Sequence, residues 1–556
     1  MALSETESSQ QTWDWKVLLG LLAVSVLGLS IRLVDIHRGL WLDELHTSWT
    51  VSDGCHNVWF RAETGNQAPV YFWFVWALVR IGGHTELMLR LISVLAGAAL
   101  AIVGYRMVTV WTRSITAGIL AALLIALDPT LIEYSQEARP YALLQLVAWI
   151  QVHFFLARFG DFSRFGERSN STGKEHETPQ QSPALGWKPT GAQTGFVLSA
   201  ILCFYIHFTS ILLTGACILS FLLWKTIFDS RWHFRDLIRL SDFAWIALGC
   251  LPLLGSVMQI SERRANWELF VNDSSYSPML LFQFWAYLLP VVIMVGAGAF
   301  TLLAKEHRPR VRLLFVLGML YFVPVLGSWI SLKAGVAALY HPRYFMIGSL
   351  GIILLGCSIF AFLFREPKRW CQYVAVATMC LMFFLSIYQN QLLSGFRHEL
   401  EMPFESSWKI AARDLNERMQ PEQRIYLFAN LIEDQFLSSS KSPLSNFEEQ
   451  QLREYCSFPL TGIYRLHQGT IQPKSTIAVP RFGKSDVEEM KSAQTVYLVI
   501  RGDQGVVSDI LAEFAEFGPR NGLFIRSIGN QIYEYRGAPG HFVAVFEFQI
   551  AAESSR

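Results

Sequence analysis

Charge is what this sequence has least of. Only 16% of its 556 residues are Asp, Glu, Lys or Arg, against 52% hydrophobic residues, with 40 Phe and 18 Trp among the aromatics. Soluble domains run to about 25% charged residues, so a water-soluble globular chain is excluded and a membrane protein is implied. The formal net charge of +1 gives no basic surface for nucleic acid. Zinc-type Cys and His spacing is lacking as well. Five of the eight cysteines (Cys203, Cys217, Cys250, Cys357 and Cys380) fall inside apolar runs, where cysteine acts as a small buried hydrophobe, and they specify no disulfide framework. The opening "MALSETESSQQTWDWK" has none of the basic character of a cleaved secretory signal, so the first apolar run is expected to stay as an anchor.

Long apolar runs are what the chain does have. Stretches near the roughly 20 residues needed to cross a bilayer fall at 16–34, 87–110, 115–133, 139–158, 193–206, 208–225, 243–260, 278–303, 311–332, 342–364 and 371–391. The expected fold class is therefore a polytopic α-helical membrane protein of about eleven transmembrane helices, followed by a small C-terminal α/β soluble domain. The segment "APVYFWFVWALVRI" at 68–81 is apolar and aromatic. As a helix it rises only about 21 Å, short of a core of roughly 30 Å, and it is read as a helix lying in the interface.

Basic loops orient the bundle. Lys225, Arg231, Arg235 and Arg239, the run from Lys305 to Arg312, and Arg365, Lys368 and Arg369 all belong in the cytoplasm. Counting back from them places residues 1–15 and a Ser/Gly/Pro-rich linker at 159–192 in the cytoplasm. The loop 35–86 falls outside, and up to Ala68 it carries five acids against two bases. Residues 392–556 form the external domain.

This topology collects four polar clusters on the external side: "LWLDELHTSW", "EYSQEARPYALL", "FYIHFTS" and "YHPRYF". In the first, Asp43 and Glu44 sit beside Trp41 and Leu42. A carboxylate partly removed from water has raised proton affinity, which suits a general base, while an acid pair in water is an ordinary solvated helix end. Adjacent helical residues diverge by about 100°, so the two are given different roles. Glu137 and Arg139 stand at the outer end of a span, with Pro140 and Tyr141 opening the next; an arginine there can cap, snorkel or bind phosphate. His207 interrupts an apolar stretch, either as a histidine satisfied locally at a helix junction or as a site residue. His341, Arg343 and Tyr344 open a span, either as an interfacial aromatic belt with its basic anchor or as a phosphate-binding fork.

Taken together, "LWLDELHTSW", "QAPVYFWFVWALVRIGGHTELMLRLISVLAG", "YSQEARPYALL", "YIHFTS", "HPRYFMIGSLGIILL" and "SSWKIAARDL" resemble, in order and spacing over roughly 16–415, the bacterial protein O-mannosyltransferase-like branch of the C-type glycosyltransferases. One departure is Gln67-Ala68-Pro69 where relatives usually carry His-Pro-Pro; Gln67 can hydrogen-bond but carries no charge. The resemblance implies transfer of a sugar from a polyprenyl phosphate or diphosphate carrier to an acceptor hydroxyl of a protein, glycolipid or polysaccharide, on the outer membrane face and with inversion. It implies Asp43 as base, with Glu44 and Glu137 among the catalytic carboxylates and Glu137 orienting Arg139 or holding sugar hydroxyls. Arg139, Arg343 and His341 would take the leaving phosphate, and Gln67, Tyr141, His207 and Tyr344 would line the substrate. Asp43, Glu44 and Glu137 could offer oxygens to a cation; no metal and no other cofactor is expected, since the arginines can carry the charge.

After Asn390, "SSWKIAARDLNERM" has helical spacing, and "RIYLFAN", "TVYLVIRG", "LFIRSIGNQIYEYRG" and "FVAVFEFQI" read as strands. Trp408 and Lys409 are expected to pack near the membrane module, and 434–452 to form an exposed loop. A transporter or lipid flippase would instead place acids or arginines deep within the spans, and a membrane scaffold would leave the four clusters unexplained.

Overall fold

In the computed structural model, which describes residues 15–159, 190–228, 232–262, 285–302, 308–335, 340, 342–389, 406–437, 446–534 and 541–552, the apolar runs are helices. They are α1 (Trp15–Leu33), α5 (Glu86–Thr112), α6 (Ile115–Leu127), α7 (Pro129–Ser135), α8 (Tyr141–Phe159), α9 (Gly191–Ile206), α10 (Ile211–Phe228), α11 (Phe234–Cys250), α12 (Leu254–Glu262), α13 (Trp285–Leu302), α14 (Arg308–Lys333), α15 (Pro342–Phe364) and α16 (Arg369–Gln389). Between α1 and α5 lie the short α2 (Leu42–Val51), α3 (Cys55–Thr64) and α4 (Val70–Gly82).

Among the described residues, seven helices are long and apolar enough to cross a membrane, and α6 with α7, bent by 57°, makes an eighth. The expected eleven is not reached by length alone. Leu18–Leu33, Gly191–Ile206 and Trp285–Gly298 are shorter, and a 16-residue helix rises only about 24 Å. The start of the expected span at 278–303 lies outside the described residues. The span expected at 243–260 begins earlier, at Phe234, because Asp236 accepts from the His233 amide at 3.1 Å and so caps a new first turn. The segment 68–81 does form a helix: α4 has 13 residues and is tied down by Trp76 Nε1 and Arg80 donating to the Asp53 carbonyl at 2.8 and 2.7 Å.

The break between α6 and α7 has a chemical cause. Asp128 caps α7 through the Leu131 amide at 2.7 Å, and Pro129 occupies the first helical position. The carbonyls that the break frees on Ile125 and Ala126 accept from buried Arg32 at 3.3 and 3.2 Å. A charge buried at this depth was not foreseen; it is consumed by backbone satisfaction, and Asp128 also takes the Tyr287 hydroxyl.

The bundle has two chemically distinct ends. One gathers Lys225 with Asp236 at 2.7 Å, Arg158 with Asp242 at 2.8 Å, and Arg365 on the Thr112 and Arg113 carbonyls. The other end, about 27 Å away along α8, carries α2 and the segment 136–140.

The C-terminal domain is a five-stranded sheet in the order β2-β1-β3-β5-β4, made of β1 (Arg424–Phe428), β2 (Thr470–Pro473), β3 (Thr495–Gly502), β4 (Leu523–Glu534) and β5 (Phe542–Ala552). The first three are parallel and the last two antiparallel. The four strands read from alternation are present; β2, four residues without a clear pattern, was not foreseen. One face buries Tyr426, Phe428, Leu498, Ile500 and Phe546 against Phe482 and Phe514. The expectation of an exposed loop at 434–452 is corrected over its described part: Asp434 is fully buried, bonded to Ser475 and Thr476, and Asn446–Cys456 is a helix. The domain sits on α2 and α3 at the second end of the bundle. Glu454 meets Arg61 at 2.6 Å, Lys409 meets Glu86 at 3.1 Å, and Trp408 is fully buried.

Candidate functional site

The two acids of "LWLDELHTSW" occupy successive positions in the first turn of α2 and point to different partners. Glu44 is completely buried. Its carboxylate takes a bidentate pair from Arg90, both contacts at 2.7 Å, together with the Ala138 amide at 2.7 Å and the Trp41 amide at 3.2 Å. Burial raises its pKa, but Arg90, helped by Arg38 and the Ala138 amide, outweighs burial and holds it below the ordinary carboxylate value. Glu44 was expected among the catalytic carboxylates, and the structure gives it a different task. With both oxygens committed it is a clamp joining α2, α5 and the segment before α8.

Asp43 remains half-exposed. Its Oδ2 lies 3.3 Å from Arg343 Nη1 and 3.6 Å from Arg139 Nη2, and its backbone carbonyl accepts from Arg139 Nη1 at 3.2 Å. Aromatic rings wall the cluster. The Arg139 guanidinium stands 5.9 Å from the Tyr141 ring, and that of Arg343 stands 5.8 Å from Tyr344. The His207 ring lies between the two tyrosines, 5.6 Å from Tyr141 and 5.9 Å from Tyr344. His207 ends α9 in an extended conformation, and its Nδ1 meets the Thr209 hydroxyl at 2.8 Å, which leaves it both locally satisfied and part of the wall. Positions 43, 139, 141, 207, 343 and 344 thus meet in one place.

Buried polar contacts hold this convergence. Thr47 Oγ1 donates to the Ala138 carbonyl at 2.7 Å, Ser93 Oγ donates to the Arg139 carbonyl at 3.0 Å, and Tyr71 bonds Ser93 at 3.0 Å. Gln136 Nε2 donates to the Val34 carbonyl at 2.9 Å, securing the same segment to the end of α1. Arg90, Thr47, Ser93 and Tyr71 were not singled out from the sequence. Only Arg90 carried a signal, as a cation inside the apolar run "ELMLRLISVLAG". His46, beside Asp43 on α2, is ringed by Trp49, Phe72, Tyr455 and Phe458. Burial, reinforced by Arg139, lowers its pKa to about 3, so it is neutral.

Two expected residues stand differently. Among the described residues Glu137 makes no ion pair with Arg139, and its buried Oε2 has no hydrogen-bond partner. Burial, with Glu44 and Glu133 nearby, raises its pKa to about 8. The expected orienting of Arg139 through this carboxylate is thus not what the geometry offers: at neutral pH Glu137 is a carboxylic acid able to donate a hydrogen bond. Gln67 lies in the turn before α4, and its buried Oε1 has no hydrogen-bond partner among the described residues. His341 lies outside the described residues. No group of three His, Cys, Asp or Glu side chains that could hold a metal ion occurs among the described residues.

A pH dependence follows from Glu137. Protonated below about 8, it donates; above that value it ionises beside Glu44 and repels an anionic ligand. Activity is expected to fall through an alkaline limb near pH 8, and Glu137→Gln, which keeps a donor but cannot ionise, should abolish that limb. Rates measured from pH 6 to 10 on both proteins check this; an identical limb in the variant would assign it elsewhere.

Comparisons with known proteins find likenesses of sequence segment and of fold. Residues 66–166 match the model of the family described as dolichyl-phosphate-mannose-protein mannosyltransferase, a segment that includes Gln67, Arg90, Glu137, Arg139 and Tyr141. No curated protein matches the sequence. Among solved structures the chain is similar to ArnT from Cupriavidus metallidurans, with undecaprenyl phosphate bound at TM-score 0.51 and in the apo state at 0.52. In both cases identity is 12%, over 96% of this chain and 98% of that one. The oligosaccharyltransferase of Archaeoglobus fulgidus is more distant, at 12% identity and TM-score 0.48, over 73% of this chain and 59% of that one. The resemblance read from the motifs agrees with the family match over residues 66–166, and the expected polytopic helical fold with its C-terminal sheet domain agrees with the likeness to ArnT, which does not fix the count of eleven spans.

Proposed function

We propose that this protein, with a fold like that of ArnT and a segment at 66–166 that matches a mannosyltransferase family, is an inverting glycosyltransferase. It takes a sugar from a polyprenyl phosphate or diphosphate carrier and passes it to an acceptor hydroxyl on the outer, periplasmic face of the membrane. The observation that carries the reading is the placement of Asp43 between Arg139 and Arg343. Two guanidiniums that converge on one carboxylate oxygen in a partly desolvated place present a fork of donors that suits a phosphate. Arg139 Nε is buried without a hydrogen-bond partner among the described residues. Such a donor costs about 1–3 kcal/mol until an acceptor arrives, so a phosphate oxygen would relieve it.

The chemistry follows from an exchange of partners. Without donor, the Asp43 carboxylate lies against both arginines. When the lipid phosphate binds, its oxygens take their place on the guanidiniums and the carboxylate is released toward the acceptor. The acceptor oxygen attacks the anomeric carbon, its proton passes to Asp43, and the bond from that carbon to the phosphate oxygen breaks. Charge then gathers on the leaving phosphate, where Arg139 and Arg343 oppose it. Glu137 in its acid form donates to a sugar hydroxyl, and Tyr141, His207 and Tyr344 form the wall against which the ring rests. The basic ends at Arg158, Lys225 and Arg365 support placing the opposite face in the cytoplasm.

The test is to incubate purified protein with isotopically labelled polyprenyl-phosphate hexoses and pentoses, with and without chelator, and to measure release of lipid phosphate. Release with at least one donor is expected. If every donor is left intact under conditions where it binds, the transferase reading is wrong.

A further inference from the structure

The membrane side of α2 is held through Glu44 on Arg90 and Ala138, through Thr47 on the Ala138 carbonyl and through Arg139 on the Asp43 carbonyl. The Asp43 side chain, next to Glu44, reaches its partners only if the helix is also fixed in tilt and rotation. The remaining fixation comes from the C-terminal domain. We infer that Tyr464 of that domain is a positioning residue for Asp43, an inference that rests on the transferase reading above.

Leu40, two residues before α2, is fully buried, and its amide donates to the Tyr464 hydroxyl at 2.8 Å. That hydroxyl in turn donates to Glu86 Oε1 at 3.4 Å, and the same carboxylate oxygen holds Lys409 Nζ at 3.1 Å. One residue earlier, the Ile463 amide donates to Ser48 Oγ at 2.8 Å, further along α2, and Ser48 meets His84 Nε2 at 2.9 Å. Adjacent residues of the domain thus grip α2 before its first turn and near its end, with Asp43 between the two grips. The approach is close enough to require glycines. A Cβ on Gly462 would stand 2.8 Å from Ser48 Oγ, and one on Gly39 would stand 2.4 Å from the Ser406 amide nitrogen. Phe458 and Tyr455 complete the seat against His46 and Trp49.

Among the described residues no hydrogen bond or ion pair joins Tyr464 to Asp43, Arg139 or Arg343, so it acts through the placement of α2. Removing its hydroxyl leaves the Leu40 amide buried and unpaired and releases the start of the helix. A displacement of about 1 Å at a reacting group can lower a rate by roughly 10²-fold. The effect should fall on the proton transfer, which depends on Asp43, and not on the hold of the arginines on the phosphate.

The experiment uses the full-length protein in detergent or nanodiscs and measures lipid phosphate release from a labelled polyprenyl-phosphate sugar. Tyr464→Phe keeps the ring and is expected to lower kcat roughly tenfold, with donor KM within about twofold of wild type. Ser48→Ala, which breaks the second grip with little change in shape, should move kcat in the same direction. The decisive readout is the combination with Asp43→Asn: Tyr464→Phe should add less than about twofold to the loss already caused by Asp43→Asn, because it has no other route to the reaction. Unchanged kcat in both Tyr464→Phe and Ser48→Ala, or full multiplication of the two losses, overturns the inference while the transferase reading stands. A wild-type protein that releases no lipid phosphate overturns that reading, and this inference with it.

Discussion

Asp43→Asn is expected to lower sugar transfer by about 10²- to 10⁴-fold, the range that a positioned general base contributes. The amide keeps the size of the side chain and can still accept from a guanidinium, so the surroundings stay in place. What is lost is the capacity to take the acceptor proton. The variant should bind polyprenyl phosphate at least as well as wild type, because Asp43 Oδ2 now lies 3.3 and 3.6 Å from the arginines that the phosphate would engage. Loss of turnover with retained or tighter lipid phosphate binding is the expected pair of results, read by donor cleavage and by a lipid-binding titration on the same preparation. Transfer at the wild-type rate would remove Asp43 as base.

The second large effect concerns stability. Arg90→Leu should destabilise the folded protein by about 3–5 kcal/mol, because it leaves the Glu44 carboxylate buried without its partner. Arg90 also donates to the Ile36, Arg38 and Gly39 carbonyls at 2.8, 2.6 and 3.3 Å, so the turn before α2 loses its anchor too. The pH dependence separates this from a general packing defect. In wild type, Arg90 holds the Glu44 pKa below its unfolded value. The pair therefore stabilises above the unfolded carboxylate pKa, and the contribution is lost as pH falls through the depressed folded value. In Arg90→Leu the sign reverses: burial without the arginine raises the Glu44 pKa, so the deficit is greatest at neutral pH and shrinks as acid protonates the group. Thermal unfolding from pH 4 to 8 on both proteins reads this directly. A deficit independent of pH would mean that Glu44 is not the group left unpaired.

These two predictions also mark what the sequence could and could not disclose. The helices were legible because long apolar runs bounded by polar residues leave the backbone no other way to satisfy itself in lipid. The crossing count was less legible: α9 and the described part of α13 are too short to be counted on length, and the bend at Asp128 depends on a buried arginine ninety-odd positions earlier in the chain, at position 32. Asp43, Arg139, Tyr141, His207, Arg343 and Tyr344 could be singled out because polar groups at the ends of apolar runs stand out one by one. The division of labour between Asp43 and Glu44 could not be assigned, since it depends on Arg90 and the Ala138 amide reaching one carboxylate and not the other. Glu137 illustrates the same limit. Its neighbour Arg139 suggested an ion pair, whereas the fold turns the arginine to Asp43 and leaves the acid buried beside other acids. The seating of the C-terminal domain on α2 joins residues more than four hundred positions apart, such as Leu40 and Tyr464, and no local pattern announces it.

We propose that Arg139 and Arg343, drawn together around Asp43, form the seat of a lipid-borne phosphate. The most direct test compares binding of polyprenyl phosphate with binding of the same polyprenol lacking phosphate, to wild type and to an Arg139→Gln/Arg343→Gln variant. Wild type should prefer the phosphate form by about 100-fold or more, and the variant should lose that preference while still binding the alcohol, since each charged hydrogen-bonded contact is worth about 1.5–3 kcal/mol. Equal affinity of wild type for the two lipids, or a preference unchanged in the variant, would contradict the account.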